Sequence, residues 1–257
     1  MNSTFSKGLA LLEVMADSEK SCGVTELAKE LELGKSNVHR LLQTLMLHGY
    51  VRQEEDTGRY ELTSKIWELG AKVFQRLDLR REAMPYMELL ANETQETVHL
   101  SILDGTEVLY VAKIDSPQPV RAYTYVGGRA PAACVATGKV LLAWAPEVVI
   151  ASAAQTLARH TPRSIVSAEE LHRQLRSIRQ LGYAVNTGEW REQVVGVAAP
   201  VRDATGKVVA ALGISGPADR IPDQTISDVV PRLIELADSI SRHLGYTRAD
   251  SRRMRVS

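Results

Sequence analysis

A chain of 257 residues with 44% hydrophobic and 24% charged side chains has an ordinary globular composition and is long enough for one small domain and one larger one. Its 31 basic and 31 acidic residues cancel, so bulk charge argues neither for nor against a nucleic-acid partner, and no apolar run approaches the ~20 residues of a membrane span. Cys22 and Cys134 stand far apart without C-x-x-C spacing, which leaves out a disulfide framework and a cysteine zinc site. The N-terminus, 1–6, is polar and leads straight into an amphipathic stretch, so no signal peptide and a reducing, cytoplasmic setting are expected.

In chain order, residues 6–17 place Leu9, Leu12 and Leu11 or Met15 at helical spacing, with Ser6 as the expected N-cap. The stretch VTELAKELEL predicts a short second helix capped by Thr25 and burying Leu27, Ala28 and Leu31. Gly34 is read as a tight turn. From Lys35 to His48 the apolar Val38, Leu41, Leu42 and Leu45 recur at three, four and seven, a third helix closed by Gly49. Two short strands, 50–53 and 59–62, flank the turn-rich EEDTG. Three helices and a hairpin make a winged helix.

Residues 64–92 read as two helices, one linking the domains and one opening the second domain, with Pro85 placed near a start or a kink. HLSIL, the Asp104–Gly105 turn and TEVLYVAKI then form a hairpin. Ser167 and Glu170 form a capping box for a helix ending at Gly182. Strands follow at 183–186, 194–201 and 208–215, and a helix at 224–244 closes the set. The expected fold class is α+β with antiparallel hairpins covered by helices. The expected division is 1–64 winged helix-turn-helix, 65–78 linker helix, 79–246 second domain, and 247–257 a disordered basic tail.

If Val38, Leu41, Leu42 and Leu45 face the core, then at about 100° per residue the opposite face of the third helix presents Ser36, Arg40 and Gln43, flanked by Asn37 and His39. These side chains suit double-stranded DNA. Arg40 matches guanine, Asn37 and Gln43 match adenine, and Lys35 and Ser36 at the helix start suit phosphate. Thr25 is expected on phosphate as well. Such a face alone also fits a solvated bundle helix; the three-helix and wing arrangement decides for DNA. Against it, residues 1–65 hold eight lysines and arginines and ten acids, and the wing tip Glu54, Glu55 and Asp56 repels phosphate. The wing is therefore expected to act through Thr57 and Arg59 or hardly at all, with modest non-specific affinity.

These residues resemble the IclR-type regulators, named after the isocitrate lyase regulator. The resemblance rests on SKGLALLE, TELAKELEL, GKSNVHRLLQTLMLHGYV, GRYELTSKIWELG, RAPAACVATGKVLLA, LRSIRQLGYAVNTGEW and GVAAPVRDATGKVVAALGISGP, and covers nearly the whole chain. It implies a winged-helix DNA-binding domain, a linker helix and a GAF-like effector-binding domain with a central antiparallel sheet. It further implies a homodimer, commonly paired into a tetramer, and control of catabolic or related genes by a small organic acid or aromatic compound. Two-fold symmetry then requires a palindromic or repeated operator.

The resemblance places the effector between the sheet and the start of the helix carrying Gly138 and Lys139. Ala136 and Thr137 would offer free amides, a physically sound carboxylate site. Asn186, Gly196, Gly213 and Ser215 match effector-contacting strand positions, and Glu189 lies in the same loop; Tyr123 and Arg129 fit either the mouth of the pocket or ordinary surface. Where the regulator that names the family has an acid, a cysteine and a serine, this chain has Asn186, Gly196 and Gly213. A larger, less polar pocket is the expectation. Each glycine equally fits close strand packing.

Two other readings compete. Cys134 ahead of a helix start, with His99 as base, would make a nucleophile, yet AACVA also reads as a buried small hydrophobe. The six histidines, 39, 48, 99, 160, 172 and 243, never fall at metal-ligand spacing, and no phosphate-binding glycine loop occurs, so neither cofactor nor metal is expected. The other reading keeps DNA binding and makes the second domain a dimerisation module without an effector, which a side-chain-filled interior would favour.

Overall fold

The structure, a computed structural model, describes residues 4–18, 20–69 and 78–247. The chain divides into two compact units, Met1–Leu77 and Asp78–Ser257. The first contains α1 (Thr4–Asp17), α2 (Val24–Glu30), α3 (Lys35–Leu47) and a two-stranded wing, β1 (Val51–Gln53) and β2 (Tyr60–Leu62), paired antiparallel. Its core joins Leu11 and Met15 of α1, Leu27 and Ala28 of α2, Val38, Leu41 and Leu42 of α3, and Val51 and Tyr60 of the wing. The apolar spacing of α3 thus becomes one buried stripe, with Leu45 packed at its edge.

Three local readings change. Ser6 lies inside the first turn of α1, which already begins at Thr4. Gly23, not Thr25, is the N-cap of α2; Glu26 caps the helix by accepting from the Gly23 amide at 3.0 Å, which leaves the exposed Thr25 within the first turn. Gly34 is extended, with φ −66°, and caps α3. The turn is made by Glu32 instead, at φ 52°, a left-handed conformation that few non-glycine residues adopt. Residues 65–69 continue as helix; the rest of the expected linker, 70–77, and the basic tail at 252–255 lie outside the described residues.

The second unit opens with α4 (Asp78–Thr94), which carries Pro85 inside it. A six-stranded sheet follows, ordered β5-β4-β3-β8-β7-β6 and antiparallel at every pairing. Its strands are β3 (Thr97–Asp104), β4 (Glu107–Ile114), β5 (Arg129–Pro131), β6 (Ala184–Thr187), β7 (Val194–Arg202) and β8 (Val208–Pro217). Around it lie α5 (Ala136–Ala143), α6 (Glu147–Gln155), α7 (Ala168–Leu181) and α8 (Asp223–His243), and a 3-10 turn, Ala132–Cys134, precedes α5. β7 and β8 are interior strands covered on both faces, which is why their sequences are near-continuous apolar runs. Pro200 sits past the last β6 pairing, Ala184 with Ala198, where the missing N–H deprives no neighbour. Ser167 caps α7 by accepting from the Glu170 amide at 3.1 Å, and Gly182 ends it at φ 80°. The Glu170 carboxylate does not complete the box; Arg173 and Gln174 take it.

Candidate functional site

On α3, Lys35, Ser36, His39, Arg40 and Gln43 are exposed and Asn37 is half-buried, opposite the buried stripe. Arg40 donates through Nη2 to Asn37 Oδ1 at 3.0 Å, so these two polar side chains are already aligned on one face. Thr25 is exposed on α2. Arg59 is set apart from this group, because its guanidinium is held by Glu26 and the Ser21 carbonyl. Thr57 donates to Glu54 at 2.6 Å, while Glu55 and Asp56 stay exposed at the wing tip.

In the second unit, strand register assembles a cavity. Asn186 pairs with Gly196, Gly196 with Ser215 and Ser215 with Thr97, and residues paired directly across strands share a face. These four form one row across the sheet, and the next row contains Ala198, Gly213 and His99. α5 packs on this face, with Ala136 and Thr137 at its first turn. Between them is a cavity of about 320 Å³ lined by Ala136, Thr137, Asn186, Gly196 and Ser215, by His99 and Tyr110, and by residues 122–125 of the loop after β4. Tyr123 and Arg129 are among its lining, as are Trp190 and Arg191.

Glu189 and Gly213 stand outside the lining. A side chain at Gly213 would meet Val197 O at 2.8 Å and Thr137 Cγ2 at 2.9 Å; that glycine lets α5 approach the sheet and leaves no space for a ligand. Glu189 is buried and turned away, accepting from Lys139 Nζ at 2.7 Å. Lys139 also donates to Gln174 at 3.0 Å, while Glu189 Oε2 is buried with no partner among the described residues. Thr161 and Ser164 bind the carbonyls of Gly188 and Glu189 at 2.6 and 2.8 Å, and Asn186 Oδ1 accepts from the Glu189 amide at 3.0 Å. The loop presenting Trp190 and Arg191 is therefore pinned from beneath.

The charge pattern of the lining is one-sided. It contains two arginines and no aspartate or glutamate. Arg129 is ion-paired with Asp104 and Glu107, whereas Arg191 lies 4.8 Å above the Trp190 ring with no acidic partner among the described residues. Burial, and next the charge of Lys113, push the His99 imidazole down to about 3, so it is neutral at physiological pH. Its Nε2 lies 2.6 Å from Ser215 Oγ and its Nδ1 3.4 Å from Thr124 Oγ1. Burial pushes the Tyr110 hydroxyl up to about 12. The site can thus offer neutral hydrogen-bonding groups and the free amides of a helix start to an anion.

The proposed Cys134 and His99 couple does not assemble, since both imidazole nitrogens face hydroxyls. Cys134 is buried and its thiol is pushed up to about 11, mainly by burial and then by Glu189; a reactive cysteine needs the opposite shift. Among the described residues no cluster of three or more His, Cys, Asp or Glu could hold a metal ion, and no helix is long and apolar enough to cross a membrane.

Sequence reasoning named His99 only as a base and left out Tyr110, Thr124, Trp190 and Arg191. For His99 a signal existed. Thr97, His99 and Ser101 alternate with the apolar Val98, Leu100 and Ile102, so one face of an otherwise buried strand carries polar groups.

With this geometry established, comparison with known proteins is specific. Residues 4–55 match the IclR helix-turn-helix domain and residues 71–242 the family described as bacterial transcriptional regulator IclR C-terminal. The chain is 38% identical over 242 residues to the HTH-type transcriptional regulator KdgR of Escherichia coli, covering 93% of this chain and 92% of that one. The crystal structure of the Thermotoga maritima IclR superposes with TM-score 0.78 at 31% identity, covering 95% and 99% of the two chains. An IclR homolog from Microbacterium hydrocarbonoxydans, solved with 4-hydroxybenzoate, gives TM-score 0.83 at 27% identity, covering 94% and 99%. The chain belongs to the IclR family of bacterial transcriptional regulators.

Proposed function

We propose that this regulator reads a palindromic operator through α3 and releases or engages it in response to an anionic organic acid bound in the second unit. Lys35 and Ser36 hold phosphate, Arg40, Asn37 and Gln43 read base edges, His39 flanks them, and Thr25 sets a backbone contact from α2. The protein works in the cytoplasm as a homodimer or a dimer of dimers, each two-fold matching a half-site pair. Selection from random duplexes should return an inverted repeat. Arg40→Ala should weaken binding to the selected duplex by about 10- to 100-fold and relax one base position. Equal affinity of the variant for all selected sequences would remove Arg40 from base reading.

The observation that carries the effector reading is the acid-free lining of a cavity that holds Arg191, neutral His99 and the start of α5. An anion enters without meeting a carboxylate, and its charge faces fixed donors. The Microbacterium homolog solved with 4-hydroxybenzoate supports an effector of that kind. The open volume argues against a second domain that serves dimerisation alone. Thermal unfolding against a panel of carboxylates should show stabilisation by acids of more than about three carbons, and about 2.7 kcal/mol at a hundredfold excess over Kd. Stabilisation by amide analogues equal to that by the acids would sink the anion assignment. With an unfavourable Cys134 and a neutral, hydroxyl-bound His99, no catalytic role is assigned to this cavity.

A further inference from the structure

Arg59 looks, by its position in the wing, like a phosphate contact, but its donors are taken by neighbours in the same domain. Nε and Nη2 donate to the Ser21 carbonyl at 2.8 and 2.6 Å, and Nη1 and Nη2 to the two Glu26 oxygens at 3.2 and 2.6 Å. Glu26 Oε2 also accepts from the Gly23 amide, the cap of α2. Beside this pair, Cys22 and Tyr60 exchange both backbone hydrogen bonds at 2.8 and 2.9 Å, so the segment entering α2 is a third partner of the wing. A single exposed ion pair fixes little, but a bidentate arginine with a shared carbonyl and a backbone pairing beside it is the geometry in which such pairs do count.

We infer that Arg59 is a positioning residue of the DNA-reading unit, fastening the wing to the first turn of α2 through Glu26 and keeping its own charge off the phosphates. The inference rests on the assignment of DNA contact to α3. It explains how a domain with more acids than bases binds DNA. Contact charge is concentrated at Lys35 and Arg40, and the wing, with Glu55 and Asp56 exposed at its tip, serves as a buttress. It also ties Thr25 to the wing, since the turn that Glu26 caps is the turn that carries Thr25.

The test uses the full chain and a duplex selected by the wild type, with Kd followed by fluorescence anisotropy from about 50 to 200 mM salt. Arg59→Met and Glu26→Gln should each weaken binding about fivefold, the double variant no more than either single, and the salt slope should stay at the wild-type value. Circular dichroism confirms folding, and Glu26→Gln, which keeps an acceptor for the Gly23 amide, is the milder variant should Arg59→Met melt early. A phosphate contact predicts the reverse: Arg59→Met would lower the slope by about 0.9, and Glu26→Gln would leave affinity unchanged or raise it. Either result overturns the inference. A wild type that retains no duplex overturns the α3 assignment and the inference with it.

Discussion

Lys139→Met is expected to lower the stability of the second unit by about 3–5 kcal/mol at neutral pH, the cost of leaving one partner of a buried pair uncompensated. Lys139 is 1% exposed, and its ammonium is spent on Glu189 Oε1 and Gln174 Oε1 at 2.7 and 3.0 Å. Without it, Glu189 keeps a buried second oxygen that already has no partner among the described residues. Burial raises the Glu189 carboxyl above its ordinary value, and Lys139 foremost, then the Thr187 backbone, opposes this rise. In the variant the folded-state pKa therefore moves further above the unfolded one. A carboxyl with a raised folded pKa contributes stability below its unfolded pKa and loses it as pH climbs through the folded value. The gap between variant and wild type should thus be small near pH ~5 and wide near pH ~8 in urea melts. Adding Glu189→Gln should recover most of the loss, since a neutral pair no longer strands a charge. An equal deficit at both pH values would mean that the pair is not ionised in the folded protein.

The same cluster shows what the sequence could convey. The stripe Val38, Leu41 and Leu42 is a repeat within one helix, and Ser167 with Gly182 brackets α7 by local backbone chemistry; both are legible because their cause lies within a few residues. The cavity is made otherwise. Asn186, Gly196, Ser215 and His99 become neighbours only through the register of four strands, and a slip of one residue would turn each to the other face. Similarity to a known family supplied three of these four positions, Asn186, Gly196 and Ser215, yet it could not distinguish Gly196, which lines the cavity, from Gly213, which accommodates Thr137. Nor does local chemistry reveal α6, whose Val148, Val149 and Ile150 are β-branched and poor helix formers. Burial of Ile150 and Ala153 in the core holds that helix. β5 spans three residues and exists because Glu107–Leu109 offers it an edge.

Gly138→Ala should be the most damaging of three single-methyl additions around the cavity, ahead of Gly213→Ala and then Gly196→Ala. By helix propensity alone the first change should help by about 1 kcal/mol. Packing reverses the sign, because the new Cβ would lie 2.2 Å from Ala132 O and 2.4 Å from Ala132 Cα, backbone atoms that cannot rotate aside. The 3-10 turn must then lift off the first turn of α5, at a cost of about 3 kcal/mol or more. At Gly213 the new Cβ would meet Val197 O at 2.8 Å and Thr137 Cγ2 at 2.9 Å, a smaller overlap than at Gly138, so about 1–3 kcal/mol is expected. At Gly196 the nearest atom is Ile214 O at 3.2 Å and the others lie at 3.7 Å. Its strain should be below about 1 kcal/mol and partly offset by the entropy that glycine costs in a strand. Thermal unfolding of the three variants gives the order directly, and the carboxylate panel separates their causes. Gly196→Ala should shift ligand preference towards smaller acids with stability nearly intact, while Gly138→Ala should lose stability before any preference can be read. If Gly138→Ala unfolded with the wild type, the 3-10 turn would not be seated on α5, and the position of the Ala136 and Thr137 amides at the cavity would have to be redrawn.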